Sequence, residues 1–265
     1  MLADTPMTPW LFGWLVCSGV VLVLICMQLV GARFERRPVS TFIRVPEGEE
    51  PELSAYALAM CEAAVALGFR AHGMGRHGTH KNVYASLWLS PGSEVMALVG
   101  TGKLGGMRFR KTMLFSRLAD GSHVVTVDEF GPAELSGIWA CETLMNADLY
   151  ELFDFHWQRL VDAGVEVVPF AGEDLWQEYA EMEAQRTRRL VDLGHARYVG
   201  PEQASWRYTF GGSVRVVWQQ YLSTRAARKQ RKRAKIKRPG DRKYVPSARA
   251  VPEESEVFEA ELVEE

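Results

Sequence analysis

Hydrophobic and polar positions divide the chain into three unlike stretches. From Trp10 to Val30, 21 residues (WLFGWLVCSGVVLVLICMQLV) carry no charge. At 1.5 Å per residue such a helix reaches roughly 31 Å, about the hydrocarbon thickness of a bilayer. Trp10 and Trp14 stand near one end, where amphipathic rings favour the headgroup level, and Arg33, Arg36 and Arg37 lie just beyond the other. The pattern predicts a transmembrane helix over 10–30, after a short extramembrane segment at 1–9. A cleaved signal peptide needs a basic start and a shorter apolar run, and MLADTPMTP contains neither Lys nor Arg. Positive charge near the helix falls on one side only, at Arg33, Arg36, Arg37 and Arg44, so the N-terminus is expected outside and the rest of the chain in the cytoplasm.

Beyond the apolar run, residues 31–51 read as a basic flank and a Pro/Glu linker, and 52–222 as a soluble α+β domain. Glu52 to Leu67 places Leu53, Tyr56, Ala57, Met60, Ala64 and Leu67 at helical spacing, with Gly68 at the C-terminal cap. The period then changes. Val83–Leu89, Glu94–Val99, Met107–Leu118 and His123–Val127 alternate or run apolar between turn sequences, predicting an antiparallel meander of about four strands. Helical patterns return over Asn146–Ala163 and from Gly172 or Glu173 to Leu193, with a short strand expected at Val165–Phe170. Trp206–Tyr221 reads as strand then helix, broken at Gly211-Gly212. Helices are expected on one face of the sheet.

Composition, 47% hydrophobic and 24% charged, excludes a collagen-like or wholly disordered chain. The net charge of −2 conceals a strong asymmetry. Arg225 to Lys243 holds 11 basic residues and one acid, whereas Glu253 to Glu265 holds seven acids. This predicts a basic tail at 223–243 and an acidic disordered one at 244–265. Within the basic run, Arg228, Lys229, Arg231, Lys232, Arg233, Lys235, Lys237 and Arg238 are the candidate lipid- or nucleic-acid-binding residues. Each is worth about 1 kcal/mol beside anionic lipid. The same charges suit RNA or ribosome phosphates, but the run has no aromatic residue for base stacking. The expected partners are therefore the bilayer, then anionic headgroups or a protein, with nucleic acid behind them.

Candidate chemistry is sparse. Gly73-Met-Gly75-Arg-His-Gly78 has the letters of a dinucleotide fingerprint but follows a helix and precedes a strand, the reverse of the required order, and reads as a loop. His72, His77 and His80 in the same loop are the candidates for a metal site or for the centre of a membrane-tethered enzyme, with Asp128 or Glu129 as the carboxylate that would complete it. Gly100-Thr-Gly-Lys103-Leu-Gly-Gly106 lacks the spacing of a phosphate loop and fits a hairpin. Ser116 and Ser122 have no evident base, Cys61 and Cys141 read as small core residues, and no sequence pattern calls for a cofactor. The sequence points to an anchored binding domain rather than an enzyme.

Overall fold

The computed structural model describes residues 42–46, 48–104, 107–128, 134–200 and 205–219, with Tyr221, Leu222 and scattered positions between 14 and 38. The eight candidate tail residues, Arg228 to Arg238, lie outside the described residues, as does most of 10–30. Among the described residues no helix is long and apolar enough to cross a membrane. Of the 10–30 stretch they include Trp14, Ser18, Val23, Cys26, Met27, Leu29 and Val30, all helical.

The main sheet holds β2 (Phe42–Arg44), β3 (Arg70–His77), β4 (Val83–Leu89), β5 (Met96–Leu104), β6 (Met107–Leu118), β7 (His123–Val127) and β8 (Trp139–Thr143), side by side in that order. Pairing is antiparallel from β2 to β7, and β8 joins parallel to β7. A two-residue strand, β9 (Val167–Val168), pairs with the end of β6. The expected meander, β4 to β7, is the centre of a wider sheet. β2 arises inside the stretch read as linker, because Phe42 pairs with His77 and Arg44 with Gly75.

Three helices cover this sheet: α1 (Ala55–Ala66), α2 (Leu149–Ala163) and α3 (Leu175–Asp192). Each is opened by a side chain that accepts a backbone N–H, Ser54 for α1, Asp148 for α2 and Asp174 for α3. Their apolar stripes do not share one sheet face, contrary to expectation. Ala57, Met60 and Ala64 of α1 and Leu149, Leu152 and Leu160 of α2 pack with Val95, Ala97, Val99, Leu114 and Val124. Leu175, Trp176, Tyr179 and Met182 of α3 pack with the alternate positions Met96, Leu98, Met113, Phe115 and Val125. Strict period-two alternation sends neighbouring residues of each strand to opposite cores. With both faces covered, β7 (His-Val-Val-Thr-Val) is buried at every position and shows no polar–apolar alternation.

The glycine-rich segment at 73–78 is strand rather than loop up to His77. Gly73, at φ +77°, sits at the register shift between Ala71 and Met74. Gly75 lies under the Trp176 indole, where an added Cβ would come within 2.5 Å of the ring. Two of the three fingerprint glycines thus serve a bulge and a close packing contact.

A second sheet places β1 (Arg37–Pro38), β11 (Ser205–Tyr208) and β10 (Ala196–Val199) in that order, all antiparallel. Leu190, Ala196, Trp206, Tyr208 and Val216 form its core. The chain turns helical again over residues 210–219 and at 221–222, here called α4. The break from strand falls at Thr209, whose hydroxyl accepts the Gly212 N–H at 3.1 Å, so Gly211-Gly212 lies in the first turn of α4 rather than before it.

Candidate functional site

Register builds a polar row at one end of the main sheet. Tyr84 of β4 pairs with Thr101 of β5, and Thr101 with Arg110 of β6, so the three stand side by side on the α1 face. Ser54, the N-cap of α1, meets Thr101 hydroxyl to hydroxyl at 2.7 Å and so pins the helix start against this row. A cleft of about 630 Å³ results, lined by Glu52, Ser54, Tyr56, Asn82, Tyr84, Lys103 and Arg110 among others. The Arg110 guanidinium lies 5.7 Å from the Tyr56 ring centre.

Below the cleft the hydroxyl of Tyr56 donates to the Asp128 carboxylate, and the Thr112 hydroxyl lies 2.6 Å from the same phenol oxygen. The Thr112 backbone N–H donates to the other Asp128 oxygen at 2.7 Å. Burial raises the Asp128 pKa, an effect these two hydrogen bonds oppose. Lys103 and Arg110 give the mouth a positive edge beside one acid, Glu52, and the N-terminal end of α1 adds partial positive charge. The hydroxyls of Ser54 and Tyr56 are committed to protein partners, which leaves hydrogen-bonding cations at the rim: an arrangement for holding an anionic or carbonyl-rich ligand.

The other polar groupings are enclosed. Ser116, which sequence leaves without a base, does have one: its Oγ lies 3.0 Å from His156 Nε2. Both residues are fully buried. The Ser116 hydroxyl donates to the Glu94 carbonyl at 2.7 Å, so it accepts from Nε2–H, and Nδ1 accepts from the Thr126 hydroxyl at 2.8 Å. A serine whose proton points away from the imidazole, with no carboxylate behind the ring, is a structural chain rather than a nucleophile. Burial, aided by the Arg159 charge, pushes His156 down to about 3. On the α3 face Arg186 bonds Glu134 at 2.6 Å, approaches Glu183 at 3.8 Å and lies 4.8 Å from the Trp139 ring centre. Burial lowers Lys111 and raises Glu183 beside it.

The three candidate histidines are only partly gathered. The His77 and His80 rings lie 4.7 Å apart, but His77 Nδ1 is occupied, accepting the His80 and Thr79 backbone N–H groups at 3.2 Å. His72 is on β3, where its carbonyl receives the Trp176 indole N–H. Asp128 stands at the end of β7, four strands from β3, roughly 19 Å at the usual inter-strand spacing. Among the described residues no group of three or more His, Cys, Asp or Glu is placed to hold a metal. In the sequence Lys103 is marked only by glycines whose spacing does not make a phosphate loop. Arg110, Tyr84 and Thr101 carry no motif, and only the hairpin register would have revealed the row.

An α+β domain with two-sided helical cover and a cation-rimmed cleft is the class these features define. No protein-family model, curated protein or solved structure matches the chain.

Proposed function

We propose that this chain is a single-pass membrane-anchored binding protein. Residues 10–30 cross the bilayer with 1–9 outside, and the α+β domain faces the cytosol, taking an anionic ligand at the Lys103–Arg110 cleft. The basic run Arg225–Lys243 contacts anionic lipid headgroups. The observation that carries the reading is the uncharged run of 21 residues with arginines on its C-terminal side alone. Its described positions support it: they are helical, and Trp14, Val23, Met27 and Val30 are all more than half exposed, a burden for apolar side chains in water and none in lipid. Binding rather than catalysis is supported by Ser116, His156, Asp128 and Arg186, each already engaged by protein partners.

The test is a reporter active only in the cytosol, fused after Glu265, with alkaline extraction of the same membranes. Activity together with resistance to extraction is expected. An inactive reporter, or release by alkali, refutes the topology. Flotation with phosphatidylglycerol-containing vesicles is then compared for the full chain and one ending at Thr224. Loss of salt-sensitive lipid contact in the shorter chain is expected, and equal behaviour refutes the tail assignment.

A further inference from the structure

The face of α4 turned away from the domain is apolar and uncovered. Phe210 is 68% exposed, Trp218 60%, Tyr221 58%, and Val214 and Leu222 are also exposed. Their spacing of four, four, three and one residues forms one stripe at about 100° per residue. Gly212, Ser213 and Val216, on roughly the opposite side, are buried. The contact there is close: a Cβ on Gly212 would stand 1.9 Å from the His195 carbonyl. The helix is therefore seated on the domain by one side while presenting two stacked aromatic rings, Trp218 and Tyr221, 5.9 Å apart, on the other.

What covers the stripe is indicated by where α4 begins. β11, which leads into it, pairs with β1, so Arg37 lies opposite Trp206. Arg33 donates to the Tyr208 carbonyl at 3.1 Å. Arg33 is three residues past the apolar run and Phe210 two past Tyr208, so, with the length of the Arg33 side chain included, α4 starts within about 20 Å of the point where that run ends. Past Leu222 the chain enters the basic run Arg225–Lys243, which complements anionic headgroups. Apolar and aromatic residues on one face, tethered beside a membrane exit and followed by cations, are the features of a helix lying in the bilayer interface.

We infer that α4 lies flat in the cytosolic headgroup region, with Phe210, Val214, Trp218, Tyr221 and Leu222 immersed. The domain is thereby held at a fixed attitude to the membrane. This rests on the anchor reading above, and the test separates the two. In full-length protein with Cys17, Cys26, Cys61 and Cys141 replaced by Ala, an environment-sensitive fluorophore is placed on Val23→Cys, Val214→Cys or Trp218→Cys. Each is reconstituted in phosphatidylcholine–phosphatidylglycerol vesicles with brominated acyl chains. Quenching at 214 and 218 about half as strong as at 23 is expected, because an interfacial helix sits roughly 5–10 Å into the headgroup–acyl boundary. Quenching at 23 with none at 214 and 218 overturns the inference and leaves the anchor standing. Unquenched but blue-shifted probes at 214 and 218 overturn it in favour of a protein covering the stripe. No quenching at 23 overturns the anchor, and the inference with it.

Discussion

His156 offers the sharpest check on how the domain is held together. It is fully buried on α2 between Ser116 and Thr126, and every proton of the group has a defined destination. Nδ1 is the acceptor, and Thr126 Oγ1 in turn accepts from Arg159 at 2.8 Å, so a second ring proton would meet an oxygen already facing a cation. The ring accordingly titrates near 3 in the folded chain, against about 6.5 unfolded. A depressed folded pKa contributes stability that is complete above the unfolded value and is lost as pH falls. The loss runs at about 1.4 kcal/mol per pH unit below roughly 6.5, or some 3 kcal/mol by about pH 4. His156→Gln keeps a donor for Ser116 without titrating. It should cost about 1–2 kcal/mol at neutral pH and remove this part of the acid slope. Urea unfolding of the full chain, followed by near-ultraviolet circular dichroism between about pH 7 and 4, reads both quantities. Parallel pH profiles for the two chains would refute the neutral, locked imidazole.

Three further outcomes are expected. Arg186→Ala leaves the Glu134 carboxylate, which is 9% exposed, without its cation and, among the described residues, with hydrogen bonds from Ser136 alone, and should destabilise by about 3–5 kcal/mol in urea; adding Glu134→Gln should recover a large part. Gly75→Ala drives a methyl into the Trp176 ring and should cost about 1–3 kcal/mol while altering the near-ultraviolet tryptophan signal; an unchanged signal would contradict the packing. Burial raises the thiol pKa of both Cys61 and Cys141, so at about pH 7.5 native protein should alkylate at both far more slowly than urea-unfolded protein, as mass spectrometry of the labelled chain will resolve.

Strands β4, β6 and β7 were legible to the residue because each is cut off sharply by turn sequences, β4 and β7 as mostly apolar segments covered on both faces and β6 as an apolar stretch, Met113 to Phe115, inside a longer run of mixed character. The same two-sided cover was not legible. Each helix has one apolar stripe, and nothing local says which side of the sheet it meets. β3 is not legible in the sequence because its glycines and histidines are loop chemistry, whereas the backbone pairing with β2 and β4 makes it a strand. β8 has a mixed pattern, Trp-Ala-Cys-Glu-Thr, and its parallel pairing with β7 is a tertiary fact. At the cleft, Lys103 stood out by its glycines, but the alignment of Tyr84, Thr101 and Arg110 depends on cross-strand register. The Ser116–His156 pair joins residues 40 positions apart, and periodicity cannot bring them together.

The pairing of β1 with β11 and of β2 with β3 bears on how this domain can be cut out of the chain. A fragment starting at Glu52 would retain all three covering helices and the meander, yet lose the border strand of each sheet. The backbone groups of Gly75 to His77 and of Ser205 to Trp206 would then face water as open templates for another chain. Such a fragment should associate edge to edge more strongly than one starting at Arg36, which keeps both border strands. The short strands at 37–38 and 42–44 thus act as seals, and the chain keeps its own sheets from recruiting strangers by folding the residues ahead of Glu52 back onto them.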